Sequence, residues 1–323
     1  MRKSALTWLF CALMMPLLGQ AAMPEGDPWL MLEKAGQAAR KLSYKGIFVY
    51  QSGHAVSNLQ ITHMNCAQGE FARVVSLDGA PREILQQGNE AVIYSPQHEK
   101  IMIEKRRVQN SFPALLPGLT DALKASYQAH VTGQERIGGR DGVVIQLVPR
   151  DQYRYGYRFY LDRESGLLLK SVMLNESNEA IEQVAFSQLA LLPMTRMDWF
   201  HPNIERGKDY EMQQDDNVMP ARMEGGGWKV AHLPSGFVEV DQLTRSMPGK
   251  SLPVEQMIFS DGIASVSLFI EKLDKGVQPQ SGHLLQGATH IYANTVEGHQ
   301  VVVVGEVPEL VVRQIGDSVI FRK

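Results

Sequence analysis

Cysteine is almost absent from this chain: 323 residues carry two, Cys11 and Cys66. Cys11 sits in an apolar leader, so Cys66 is left without an intramolecular partner once that leader is removed, and a disulfide scaffold is excluded. The fold must stand on packing. Metal and catalytic motifs are missing too. His63 and Cys66 have a metal-like spacing, but no second ligand pair follows them at zinc-site distance. Nine histidines occur without an H-E-x-x-H pair, and no serine lies in a G-x-S-x-G elbow. Gly249-Lys250-Ser251 ends like a phosphate loop, yet Thr244 stands where the first glycine belongs and Pro248 removes a backbone donor. No metal, cofactor or catalysis is expected, which points to binding. Charge of one sign is also lacking. The formal balance of 32 basic and 35 acidic residues is -3, and losing Arg2 and Lys3 with the leader takes it from -3 to -5. Nucleic-acid binding needs a basic footprint and is excluded.

The long apolar run spans Ala5 to Leu18, interrupted by Thr7 and Pro16 and preceded by Arg2 and Lys3. Gly19-Gln20-Ala21 supplies small residues for a signal peptidase. The run is shorter than the ~20 apolar residues that span a bilayer, and Cys11 lacks the small residue before it that a lipoprotein signal needs. Residues 1–21 are therefore expected to be a signal peptide cleaved near Ala21, with export of a soluble protein to the periplasm.

Beyond the leader, Asp27 as N-cap and Pro28 at the first helical position predict a helix over Pro28 to Leu42. Period-2 alternation then predicts an antiparallel meander: strands near 47–51, 58–64, 70–77, 83–87, 91–95 and 100–105, with Gly53-His54 and Asp78-Gly79 as turns. Phe112, Leu115, Leu116, Leu119 and Leu123 return to helical spacing across Pro117-Gly118, which reads as a plug or lid. Strands resume at 126–137, 143–148, 153–161, 167–174 and 180–192. Roughly ten consecutive strands around one helical insertion predict a strongly curved sheet or incomplete barrel over residues 22–196. Pro202, Gly207, Pro220 and Gly225-Gly226-Gly227 break the pattern, so 197–222 is expected to be a linker. Residues 223–323 then read as a smaller α+β domain, with strands near 228–233, 255–259, 265–271, 290–296 and 300–304 and a final helix opened by Pro308. The fold class is thus α+β, mainly antiparallel β.

The stretch Tyr153-Arg154-Tyr155-Gly156-Tyr157-Arg158-Phe159-Tyr160 is the most informative. As a strand it puts Tyr153, Tyr155, Tyr157 and Phe159 on one face and Arg154, Arg158 and Tyr160 on the other. Such a row suits a solid core, the lining of a cavity for acyl chains, or a docking surface for a peptide.

Asp151 to Arg158, the hairpin Phe259-Ser260-Asp261-Gly262-Ile263-Ala264-Ser265-Val266-Ser267 with Phe269-Ile270-Glu271, and the ending Val301 to Pro308 together resemble the RseB/MucB family. These are periplasmic negative regulators of the sigma-E/AlgU-type envelope-stress sigma factor. The resemblance implies a large N-terminal half-barrel like that of the lipoprotein carrier LolA and a smaller C-terminal domain. It implies as partner the periplasmic region of a membrane anti-sigma factor, RseA/MucA-like, which is shielded from the first protease. Lipopolysaccharide or lipoprotein acyl chains are the implied input, and a homo-oligomer is possible. A cavity would be lined by Phe48, Tyr50, Tyr153, Tyr155, Tyr157 and Phe159. Lys105, Arg106, Arg107, Arg154 and Arg158 are the candidates for lipid phosphate or partner, since Arg forks match phosphate; each also fits a solvated face or a salt bridge. The alternative function is a lipid or lipoprotein carrier, but the second domain then has no task.

Overall fold

The computed structural model describes residues 26–88, 90–95, 100–105, 111–116, 121–193, 196–201, 211–214, 219–220, 227–245, 252–274 and 276–322. The leader and its cleavage point, Arg106, Arg107 and Gly249-Lys250-Ser251 lie outside them. Among the described residues no helix is long and apolar enough to cross a membrane.

Helix α1 (Pro28–Lys41) starts where its cap dictates: Asp27 Oδ1 accepts the Trp29 N–H at 2.9 Å, and Pro28 occupies the first turn. Its buried face is Leu32, Ala35, Gly36, Ala38 and Ala39. A Cβ on Gly36 would lie 2.8 Å from the Leu116 carbonyl oxygen, so this glycine is what lets the Phe112–Leu116 segment close on the helix.

The first meander comprises β1 (Tyr44–Ser52), β2 (Ala55–Cys66), β3 (Gly69–Ser76), β4 (Glu83–Gln87), β5 (Glu90–Ser95) and β6 (Lys100–Lys105). After α2 (Asp121–Ser126) comes a second: β7 (Tyr127–Ile137), β8 (Arg140–Pro149), β9 (Gly156–Asp162), β10 (Leu168–Leu174) and β11 (Ala180–Leu191). Antiparallel pairing of β1 with β11 joins the two, and β12 (Glu211–Gln214) adds to β6 in parallel, giving a 12-stranded sheet. The sheet curls. Strands β7 and β11 touch although β8, β9 and β10 separate them in the order. The concave face is filled by α1, Phe112, Leu116 and Leu123, all packed with Phe48, Tyr127, Phe159 and Phe186 in one core.

The smaller sheet is ordered β13-β15-β16-β17-β20-β19-β18. Its strands are β13 (Met219–Pro220), β15 (Val238–Arg245), β16 (Val254–Ser260), β17 (Ser265–Lys272), β18 (Gly282–Gln286), β19 (Thr289–Val296) and β20 (His299–Gly305). Helix α3 (Glu309–Asp317) covers β17, β19 and β20, burying Val311, Val312 and Ile315 against Met257, Val266, Leu268, Val301 and Val303. Strands β14 (Gly227–Val230) and β21 (Val319–Arg322) form a separate pair.

Several expectations need correction. The strand expected from Tyr153 begins only at Gly156, because Asp151 Oδ1 takes the Tyr153 N–H at 3.0 Å and bends the chain before it can join the ladder. Strands β15, β18 and β21 arise where none was expected. The segment 197–222 is not featureless. A 3-10 turn at Met197–Phe200 packs on β3, with Arg73 Nη1 donating to the Trp199 carbonyl at 3.2 Å, and β12 and β13 each extend one of the two sheets. Cys66 is a half-buried free thiol that donates to Gln68 Oε1 at 2.9 Å. His63 is a satisfied core group, with its nitrogens at Leu42 O (2.8 Å) and Glu70 Oε1 (3.0 Å) and its ring stacked on Tyr44.

Candidate functional site

The aromatic row divides at the bend. Tyr157 and Phe159 on β9 stack at 5.5 Å between ring centroids and are buried in the large core with Tyr155. Phe48 joins them from β1 and meets Phe112 at 5.3 Å. Tyr50 is half-buried at the edge of this core, whereas Tyr153 packs against the core of the smaller domain. The concave space of the half-barrel is thus occupied by the chain's own helix and its Phe112–Leu116 segment.

Arg154 is not at a rim. Its side chain has 0% exposure and pairs with Asp261, also at 0%, across the junction of the two domains. The bend that precedes β9 turns the guanidinium toward the β16–β17 hairpin, where Nη1 meets Asp261 Oδ2 at 3.0 Å. Nε binds Asp151 Oδ1 at 2.9 Å and Nη2 donates to the Ser235 carbonyl. The cation also lies over the rings of Tyr127 and Phe237, at 5.7 and 5.6 Å. Asp261 Oδ1 accepts the N–H groups of Ile263 and Ala264, so both carboxylate oxygens are engaged. Burial pushes the Asp261 carboxyl up, and these amides and Arg154 pull it back.

Two further contacts close the junction. Tyr155 Oη lies 3.1 Å from His290 Nε2 on β19, and burial pushes its phenol up to about 12. Ala288 and Ile263 of the smaller domain pack against the large core. Beside the junction but within the larger domain, Tyr50 donates to Glu182 Oε2 on β11 at 2.7 Å. Burial and the charge of Glu306 beyond β20 raise the Glu182 carboxyl to about 7.

Of the cationic candidates whose side chains are described, Arg154 and Arg158 are not brought together. Arg158 is half-buried on the outer face of β9, close to Tyr160, whose ring also carries Lys170 Nζ at 4.9 Å. Lys105 ends β6, far along the sheet order, and its side chain, like Arg106 and Arg107, is outside the described set. Asp261, Ser235 and His290 had no local signal as functional residues. Asp261-Gly262 reads as a turn, and nothing nearby marks it as the partner of an arginine 107 positions earlier.

Comparison with known proteins matches both halves of the chain. The family described as the MucB/RseB N-terminal domain matches residues 27–204, and the MucB/RseB C-terminal domain matches residues 222–320. The chain is 30% identical over 317 residues to the sigma factor AlgU regulatory protein MucB of Pseudomonas aeruginosa, covering 95% of this chain and 94% of that protein. It is 27% identical to the sigma-E factor regulatory protein RseB of Salmonella typhimurium, over 98% of each chain. A crystal structure of MucB in complex with MucA(peri) superposes with a TM-score of 0.71 at 27% identity, covering 91% of this chain and 98% of the other.

Proposed function

The chain belongs to the MucB/RseB family, and from that premise we propose that it restrains an envelope-stress sigma factor from the periplasm. In this role it binds the periplasmic region of a membrane anti-sigma factor, RseA/MucA-like, and shields it from the first protease of the release cascade. The observation that carries this reading is the likeness, across both domains, to a MucB bound to MucA(peri). A pure carrier needs only the half-barrel, whereas here a second domain is fastened to it through Arg154, Asp261 and Tyr155. Cleavage near Ala21 would release the mature chain, with its domain boundary within residues 197–222.

We further propose that lipid is the input. Phe48, Tyr50, Tyr155, Tyr157 and Phe159 would receive an acyl chain if the Phe112–Leu116 segment gave way, each buried methylene contributing about 0.8 kcal/mol. Arg158 beside Lys170 lies on the outer face, across the sheet from that chain, and would serve the acidic groups of the partner instead of a headgroup. Arg154 is committed to carboxylates at the junction and has a structural part in this scheme. The test uses mature protein, a synthetic periplasmic segment of the cognate anti-sigma factor, and the first protease. Saturable binding with slowed cleavage is expected. Cleavage at an unchanged rate in the presence of saturating protein overturns the shielding role.

A further inference from the structure

Among the described residues, one group of three metal-competent side chains converges: His283, His290 and Glu309, each offering a ligand atom within 4.8 Å of the others. The β18–β19 hairpin brings the histidines together. Leu285 pairs with His290 and Tyr292 with His283, so the two imidazoles sit on one face as diagonal neighbours. Glu309 arrives from the first turn of α3, which packs against β19. We propose that this cluster is a binding site for a zinc-type divalent transition-metal ion.

His290 Nε2 is engaged by Tyr155 Oη at 3.1 Å, which leaves Nδ1 as its ligand atom. That Nδ1 lies 2.8 Å from His283 Nε2, and His283 Nδ1 lies 3.6 Å from Glu309 Oε2. Two ligand atoms on one tetrahedral zinc are about 3.3 Å apart, as bond lengths near 2.0–2.1 Å require. His283 can offer an ion only one of its two nitrogens; with one ligand atom taken from each residue the three lie within 4.8 Å of one another, and side-chain rotation of His283 on edge strand β18 and of Glu309 at the start of α3 closes them to that spacing. The supporting shell is also in place. Arg313 Nε holds Glu309 Oε1 at 2.5 Å and leaves Oε2 for the ion, while Tyr155 fixes the outer nitrogen of His290. Two imidazoles and a carboxylate form a donor set suited to zinc with a fourth position open. Since Tyr155 belongs to the larger domain, a bound ion would tie the hairpin and α3 to the domain junction. Neither histidine is marked in the sequence, because the six residues between them match no zinc spacing and the third ligand follows only after β20.

The experiment is titration of untagged, chelator-treated mature protein with zinc chloride, followed by calorimetry and by the visible spectrum of the cobalt(II) form. One equivalent per chain and a tetrahedral cobalt spectrum are expected. Replacing either imidazole, His283→Ala or His290→Gln, should weaken zinc binding at least 100-fold, and Glu309→Gln, at an exposed position that leaves the fold intact, about 10-fold. Tyr155→Phe should weaken it several-fold through His290, and His54→Ala should change nothing. Absence of saturable zinc binding, or binding unaltered by both His283→Ala and Glu309→Gln, overturns the site. Either result leaves the binding of an anti-sigma segment untouched.

Discussion

At Arg154 a guanidinium without exposed surface meets an equally buried Asp261, and the free energy of that contact depends on both partners being present. Taking two charges from water is costly, and their attraction and hydrogen bonds offset the cost only together. Asp261→Ala should therefore destabilise the protein by about 3–5 kcal/mol, because it strips the buried cation of its one fully buried carboxylate and leaves only the partly exposed Asp151 as counter-ion. The double variant Arg154→Met/Asp261→Leu should recover much of this loss in urea melts, while equal losses in single and double variants would place the energy in packing alone. Gly236 belongs to the same cluster. Its φ is +81°, and a Cβ would sit 2.9 Å from Ser126 Oγ and 3.0 Å from Arg154 Nη2, so no larger residue fits without moving the arginine. Glu182 offers a pH handle. Its folded pKa of about 7 exceeds the ordinary 4.5, so the folded state holds this proton more tightly than the unfolded chain. Its contribution is complete below pH 4.5 and is lost as pH rises toward 7. Glu182→Gln keeps the acceptor for Tyr50 and removes the buried charge. The variant should match wild type in unfolding free energy from urea melts at pH 4 and exceed it at pH 8 by about 1–2 kcal/mol, after allowing for solvent screening.

Among the elements, β9 carries most of the aromatic core and answers a question its sequence leaves open. Tyr157 is 5% exposed and stacked on Phe159, with α1 and Phe112 filling the space before it. Tyr157→Ala should cost about 3–5 kcal/mol, as large-to-small changes do in a packed core; a loss below about 1 kcal/mol would indicate slack in which an acyl chain lodges. Most elements were legible where local chemistry dictates them. Asp27 and Pro28 place the start of α1, Pro308 that of α3, and alternation with Asp78-Gly79 places β2 to β4. Those that escaped do so for physical reasons. A bulge between Glu239 and Asp241 breaks the alternation of β15, leaving Val238 and Val240 in solvent while Leu243 is buried. Edge strand β18 has Leu284 and Leu285 both exposed and so no apolar period to read. The aromatic row was legible as a row only from Gly156 onward, since the hydrogen bond of the Tyr153 N–H to Asp151 decides where the strand starts. Of the candidate site, Tyr157 and Phe159 could be seen in sequence, but the junction could not. Its members Arg154, Tyr155, Asp261, Ala288 and His290 come from three separated segments that only the fold assembles.

For the molecule as a whole, the decisive variable is whether the two domains move. A regulator that releases its client on sensing lipid needs each ligand to prefer a different arrangement, and linkage requires the two to weaken each other by the same factor. The junction is built to hold one arrangement, with a buried ion pair at its centre, Tyr155 on His290 to one side, and the β1–β2 turn against the β18–β19 turn. At that last contact a Cβ on Gly287 would stand 3.6 Å from the Cβ of Ser52, inside the ~3.5–4.5 Å range of a disulfide. The left-handed backbone at Gly287, φ +62°, adds strain to any side chain there but only of order 1 kcal/mol. Ser52→Cys/Gly287→Cys in a Cys66→Ser background is therefore a reversible lock. The background should be benign, since Cys66 is half-buried and, among the described residues, hydrogen-bonds to the neighbouring Gln68 and Gly69. If lipid and client compete through domain movement, the oxidised protein should bind one of them as tightly as the better state of wild type and ignore the other, and reduction should restore their mutual effect. Titrations of a lipopolysaccharide and of the anti-sigma segment, alone and together, measure this directly. A mutual effect equally strong in oxidised and reduced protein would mean that the two ligands meet at one surface, and the junction would then be a fixed frame across which no signal passes.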